Sequence, residues 1–287
     1  MVNLTDQYIL IPTDFSEVCE NAINHAIKIA TSSQSKLLLL HLLDKTSKSK
    51  LKKEHLDIEY IENKLVEKCN NIKEKHSIRV EYEIAEGKTS DIPQYVYKYN
   101  AVLMVLGTHG KKGLQYLWGS HALKIVLNSI APTLIVQDDS MPKEFKRILF
   151  PVSNFTEPRQ KVNITIALSN IFKSTIYIFK QEQKYIDTEH KIKIITDQIE
   201  NEFHRFKIPI HTFQSYSNKN FDSEILKFTD EIDPDLLVIV TNSDIYSPSF
   251  NHTAWDEKMM FNSTKTPVLM VNPVITGSID YIYNGLF

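Results

Sequence analysis

The sequence predicts an α/β protein of two tandem doubly wound domains, each with a five-stranded, mainly parallel sheet flanked by helices. Three observations predict it. Short apolar runs alternate with stretches of helical period, the order expected of parallel strands joined by crossover helices. The runs are apolar on both alternating positions, as in Lys36–Leu43, which suits strands covered on both faces. The whole pattern then recurs, with landmarks such as Tyr8 and Arg147, or Ala101 and Asp235, lying 134 to 140 positions apart. A period of that length marks a repeated domain rather than a solenoid unit.

In chain order, Tyr8–Pro12 is a short apolar run closed by Pro12-Thr13-Asp14, a buried strand followed by a tight loop. Ser16, or Thr13 and Asp14 before it, can cap a helix whose apolar positions Val18, Ala22, Ile23, Ala26, Ile27, Ile29 and Ala30 recur at helical spacing. Lys36–Leu43 is the second strand. The lysine-rich stretch from Lys45 to Lys53 reads as a solvated approach to a long amphipathic helix ending near His76. Val80 to Ala85 is the third strand and Glu86-Gly87-Lys88 its turn. Asp91 to Tyr99 is a short helix with Pro93 in its first turn, where proline costs no helical hydrogen bond. Ala101 to Leu106 is the fourth strand. A glycine-punctuated loop and a helical pattern from His121 to Asn128 follow, and Pro132 to Val136 is the fifth strand.

The second half echoes these landmarks. Arg147–Pro151 matches Tyr8–Pro12, Phe155-Thr156-Glu157 matches Phe15-Ser16-Glu17, and Ser174–Phe179 matches Lys36–His41. Asp235–Val240 matches Ala101–Leu106, and Thr266–Val271 matches Ala131–Val136. The polar stretch from Asp138 to Lys143 reads as a linker, giving expected domains of residues 1–140 and 144–287. Tyr95, Tyr97, Tyr99, Trp118 and Trp255 are expected to pack, and the tail from Pro273 to Phe287 to lie across a domain boundary.

Composition narrows the function. The chain has 287 residues, 42% hydrophobic and 24% charged, in the range of an ordinary globular protein. A net charge of −2 leaves no electrostatic footprint for nucleic acid or an anionic membrane surface. Cys19 and Cys69 have no metal-ligand spacing and read as reduced structural thiols. Met1 runs almost directly into a strand without a signal-type segment, and no apolar run approaches the roughly 20 residues that span a bilayer. The expected location is cytoplasmic.

The chemistry concentrates in Leu106–Ser120. Of the seven glycines in the protein, four fall there: Gly107, Gly110, Gly113 and Gly119. A strand, a glycine loop and a helix N-terminus together offer unpaired N–H groups and a favourable dipole to an anion, most often a phosphate. In a doubly wound sheet, ligands bind beyond the carboxyl ends of the strands where strand order reverses. If the first and fourth strands are neighbours, Asp14 and the glycine loop face one crevice. Glycine N–H groups and the Ser120 hydroxyl then suit phosphates, the N–H of His121 adds to the helix start, and Asp14 suits ribose hydroxyls. His109 reads equally as a phosphate contact or a solvated loop residue, and His41 as a core or rim histidine. Lys111 and Lys112 do not have the Gly-Lys-Ser/Thr placement of a Walker loop.

This spacing resembles the universal stress protein (UspA-type) nucleotide-binding domain, a Rossmann-like fold whose ATP-binding members carry Gly-x-x-Gly, nine residues, then Gly-Ser/Thr. Gly107-Thr108-His109-Gly110 and Gly119-Ser120 fit, with eight residues between Gly110 and Gly119. Pro12-Thr13-Asp14, His41-Leu42 and Glu86-Gly87 also look like the family. The resemblance implies that Gly107, Gly110, Gly119 and Ser120 hold phosphates and ribose, and that Asp14 binds ribose. It implies adenine and ribose walls from Pro12, Thr13, Leu42 and Leu106, and ATP or another adenine nucleotide as ligand, with Mg²⁺ or Mn²⁺ on its phosphates. No catalytic residue and no protein metal ligand is implied, and the role is regulatory or stress-responsive. The tandem form looks like an intrachain version of the family's dimer, with further homodimerisation and any protein partner open.

The second half is expected not to bind nucleotide in this way. Thr241-Asn242-Ser243-Asp244 replaces the first glycine pair, and Thr253-Ala254-Trp255 stands where Gly119-Ser120 would be. Beta carbons block close approach of phosphates, and Asp244 repels them. Asp14 aligns with Ser153 or Asn154. Two alternatives stand beside the regulatory reading: a slow ATP hydrolase or nucleotidyl-transferring enzyme of the same fold, and a scaffold with vestigial sites.

Overall fold

The structure is a computed structural model of the 287-residue chain. It describes residues 2–108, 119–138, 142–154, 156–217, 220–241 and 252–273. The chain divides into two compact units, one spanning Leu4–Pro142 and one built on Lys143–Phe287.

The first unit runs β1 (Tyr8–Pro12), α1 (Glu17–Ser33), β2 (Lys36–Leu43), α2 (Lys45–Glu54), α3 (Ile58–His76), β3 (Val80–Glu86), α4 (Ile92–Lys98), β4 (Leu103–Thr108), α5 (Gly119–Asn128) and β5 (Thr133–Gln137). Its sheet is parallel with strand order β3-β2-β1-β4-β5. The chain winds outward through β1, β2 and β3, then returns to the other side of β1 with β4. The ladder between β1 and β4 holds at Ile9↔Leu103 and Leu10↔Met104. That reversal point is the crevice of a doubly wound sheet.

Local chemistry fixes the helices. α1 starts after Ser16, has Glu17 and Glu20 in its first turn where the dipole favours acids, and buries Val18, Cys19, Ala22, Ile23, Ala26, Ile27, Ile29 and Ala30. It stops at Gln34, which takes the left-handed conformation. The lysine stretch after β2 is a helix in its own right. Asp44 caps it by accepting from the Ser47 N–H at 2.7 Å, Leu51 anchors it in the core, and His55 ends it at φ 54°. Asp57 then caps α3 through the Tyr60 N–H. The expected approach segment is therefore a second helix with its own start and stop. β4 also begins and ends two residues later than expected, so Gly107 and Thr108 lie inside the strand.

The second unit repeats the plan with β6 (Arg147–Val152), α6 (Val162–Phe172), β7 (Thr175–Lys180), α7 (Ile186–Arg205), β8 (Ile210–Gln214), α8 (Phe221–Ile232), β9 (Leu236–Val240), α9 (His252–Met260) and β10 (Val268–Val271). Its parallel order is β8-β7-β6-β9-β10, with the reversal between β6 and β9. The repeat extends to single hydrogen bonds. Ser35 Oγ donates to the Leu4 carbonyl in the first unit, and Ser174 Oγ to the Phe145 carbonyl in the second. Tyr95 and Trp255 are buried as expected, whereas Tyr97 is 77% exposed. Trp118 and most of the tail lie outside the described residues.

Candidate functional site

The first unit's crevice is built on the loop that leaves β1. Thr13 hydrogen-bonds through its N–H to the Leu40 carbonyl, which carries β1 one step past Pro12 alongside β2. The chain then turns sharply: Phe15 adopts φ 65°, a region that disfavours bulky side chains. Two local bonds hold the turn. The Phe15 N–H donates to Thr13 Oγ1 at 3.1 Å, and the Ser16 N–H donates to Asp14 Oδ1 at 2.9 Å. The Cys19 thiol donates to the same Asp14 oxygen at 3.2 Å.

Asp14 reaches solvent at the mouth of the crevice. The protein mass around it raises its proton affinity, but hydrogen bonds from Ser16 and from the Cys19 thiol outweigh that and hold the carboxyl below its ordinary value. It is an anion at neutral pH. Burial, with the Asp14 charge beside it, pushes the Cys19 thiol up to about 12, so it stays a protonated donor rather than a nucleophile.

Gly107 approaches from β4. A Cβ built there would stand 2.5 Å from the Val18 carbonyl oxygen and 2.8 Å from its carbon. Only glycine lets the end of β4 pass this close to the first turn of α1. Val18 touches Gly107 while its neighbour Cys19 touches Asp14, so the first turn of α1 draws the ends of β1 and β4 together.

His41, near the end of β2, is 4% exposed. Its Nδ1 lies 2.8 Å from the Thr13 carbonyl and its ring centre 5.0 Å from that of Phe15. Burial lowers its proton affinity. In the neutral ring the carbonyl takes the Nδ1 proton, leaving Nε2 an acceptor. Nε2 is buried and has no hydrogen-bond partner among the described residues, and the same holds for Thr108 Oγ1 at the end of β4. Buried polar atoms are normally paired. Two such atoms without a partner among the described residues, one near the carboxyl end of β2 and one at that of β4, are each suited to a polar ligand or water.

Of the residues singled out in the sequence, Pro12 and Thr13 are buried at the end of β1, Leu106 is buried in β4, and Leu42 is half-buried on β2. Gly119, Ser120 and His121 form the first turn of α5. Gly110, with His109, Lys111 and Lys112, lies outside the described residues. Sequence reasoning missed the part played by Val18, Cys19 and Phe15. Only Phe15 left a trace, as a large apolar residue interrupting the polar run from Thr13 to Glu17.

In the second unit, Leu10 and Leu149 occupy matching places in the strand ladders. The same offset puts Ser153 at the position of Asp14, where its hydroxyl pairs with Thr156 Oγ1 at 2.9 Å. Residues 242–244 lie outside the described residues, and Thr253 and Ala254 sit in α9.

Comparison with known proteins agrees with this architecture. The sequence profile of the universal stress protein family matches residues 7–137. The universal stress protein MJ0531 of Methanocaldococcus jannaschii is 31% identical over 137 residues, an alignment covering 45% of this chain and 81% of that protein. MJ0577 of the same organism is 29% identical over 153 residues, covering 45% of this chain and 93% of that protein. A universal stress protein from Archaeoglobus fulgidus superposes with a TM-score of 0.73 at 17% identity, over 93% of this chain and 98% of that one, and shares its fold. With the β1–β4 reversal, the Pro12-Thr13-Asp14 loop and a relative matched over four fifths of its length, the chain belongs to the universal stress protein family.

Proposed function

We propose that the first unit binds an adenine nucleotide, as ATP, in the crevice between the carboxyl ends of β1 and β4, and that the protein serves a regulatory role in a stress response. The observation that carries this reading is the pair of buried atoms, His41 Nε2 and Thr108 Oγ1, without a hydrogen-bond partner among the described residues, near the strand reversal where Asp14 is held ionised. Asp14 would accept from the ribose hydroxyls, since Ser16 and Cys19 bond to Oδ1. Gly107, Gly110 and the start of α5 at Gly119, Ser120 and His121 would take the phosphates through N–H groups and the Ser120 hydroxyl. Pro12, Thr13, Leu42 and Leu106 would wall the base and ribose. Mg²⁺ or Mn²⁺ would ride on the phosphates. The residues 1–140 would form the nucleotide-binding domain, and 144–287 a second domain without that site.

Denaturing the purified protein and identifying the small molecules released tests the reading, together with calorimetric titration of ATP. ATP or ADP in the extract is expected, and Gly119→Val is expected to abolish binding while leaving the circular dichroism spectrum unchanged. An empty extract with no ATP binding at millimolar concentration would overturn the reading. Phosphate release measured against the Gly119→Val control separates binding from turnover.

A further inference from the structure

The second unit carries a lysine in its interior. Lys161 ends the 3-10 turn Pro158–Lys161 that leads into α6, and it is 2% exposed. Its Nζ donates to the carbonyls of Pro151 and Val238, both at 2.7 Å, and lies 4.1 Å from the centre of the Phe150 ring. Pro151 belongs to β6 and Val238 to β9, the neighbours at which this unit's strand order reverses. Their ladder holds at Ile148↔Leu236 and Leu149↔Leu237. Pro151 has no N–H with which to continue it. The lysine amine bridges the two strands where the backbone does not. Burial drives its proton affinity well below the usual lysine value.

The internal repeat supplies the comparison. Leu10 and Leu149 are 139 positions apart in the strand ladders, and so are Gln34 and Lys173, the left-handed residues that end α1 and α6. The same offset sets Lys161 against Ala22, which is fully buried in α1. The first unit has a methyl group where the second sends a full lysine side chain between its strands.

We propose that Lys161 is the second unit's built-in occupant: its amine takes the carbonyls at the β6–β9 split and holds that crevice closed without a ligand. An amine held by two carbonyls in a dry interior cannot also meet a phosphate. A ligand drawing it outward would leave two buried carbonyls unpaired, which is costly. The unit is thereby a nucleotide-independent body, and the chain carries one nucleotide equivalent. That last clause rests on the nucleotide reading of the first unit; the occupancy of the split does not.

The test uses the full chain. Lys161→Ala removes three methylenes and the amine, the atoms of n-propylamine. We expect the variant to lower the melting temperature of the second unit by roughly 10 °C. Tens of millimolar n-propylamine should recover at least half of that loss, tetramethylammonium at equal ionic strength should not, and the wild type should respond to neither. Equal response to n-propylamine and tetramethylammonium would overturn the proposal. If Lys161→Ala does not fold, Lys161→Met keeps the apolar stem and removes the donors. A lower melting temperature supports the proposal, and one equal to or above wild type sinks it. Equilibrium dialysis with ATP adds a separate readout: one equivalent per chain is expected, and two would overturn the closure. None would instead refute the first-unit reading, with the amine recovery still deciding the role of Lys161.

Discussion

Replacing Gly107 with alanine places a methyl carbon 2.5 Å from the Val18 carbonyl oxygen. An ordinary carbon–oxygen contact begins at about 3.3 Å, so α1 or β4 must move by roughly 0.8 Å. The obstacle is helix backbone, which cannot swing aside as a side chain can. Overpacking of this kind costs roughly 1–3 kcal/mol. Taking about 2 kcal/mol, a unit of this size melts roughly 4–8 °C lower. The movement also loosens the 3.2 Å bond from Cys19 to Asp14, so ATP affinity falls with stability. Gly87→Ala is the control. A Cβ there meets Asp91 Oδ2, the end of a side chain, at 3.0 Å, and the same oxygen already accepts from the Lys88 N–H. That variant is expected to lose less than about half as much. Urea denaturation followed by circular dichroism, with ATP titration of each variant, measures both effects. A Gly107→Ala protein as stable as wild type would refute the claim that α1 dictates this glycine.

Three further outcomes are expected. Asp14→Ala weakens ATP binding roughly 10- to 100-fold, the range of one or two hydrogen bonds to a charged group; calorimetry giving an unchanged Kd rules out its ribose role. Because the folded Asp14 carboxyl is held below its ordinary value, its contribution to stability is present above pH 4 and lost as pH falls through the folded value. Asp14→Asn should therefore flatten the urea-midpoint profile below pH 4, and an unchanged profile would count against its hydrogen bonds. His41 and Lys161 are bases whose folded proton affinity is lowered, so the unfolded chain binds their protons first. Stability should fall as pH drops below about 6.5 for His41, and for Lys161 should rise with pH up to about 10.5. Each slope should disappear in His41→Gln or Lys161→Met respectively, and a slope that persists assigns it to another group.

Much of the fold was legible because its signals are local. Parallel strands buried on both faces need runs such as Leu37–Leu40 and Leu236–Val240, and crossover helices need the apolar stripe of α1. The boundaries were less legible where capping decided them. Asp44 and His55 isolate α2, but a run of lysines has no apolar period to advertise a helix. The end of β4 moved because Gly107 looks like a loop residue by itself. Within the fold, it is a strand residue made small by the helix beside it.

Taken alone, the sequence determined the strand–helix alternation, the domain repeat and the candidate set at Pro12-Thr13-Asp14 and Gly107. Periodicity, glycine spacing and self-similarity are carried by residues near one another in the chain. Only the tertiary structure decided that β1 and β4 are neighbours and that the first turn of α1 joins Asp14 to Gly107. It also decided that His41 Nε2 is buried without a hydrogen-bond partner among the described residues. Lys161 is the clearest case. Its place on the buried stripe with Thr165, Leu168 and Phe172 was a faint signal, at helical spacing, of a lysine turned inward. Its partners, the carbonyls of Pro151 and Val238, come from two strands 87 positions apart and belong to backbone atoms that every residue carries. No residue type in a sequence announces a carbonyl left unpaired by a proline. That follows only when the strands have been set side by side.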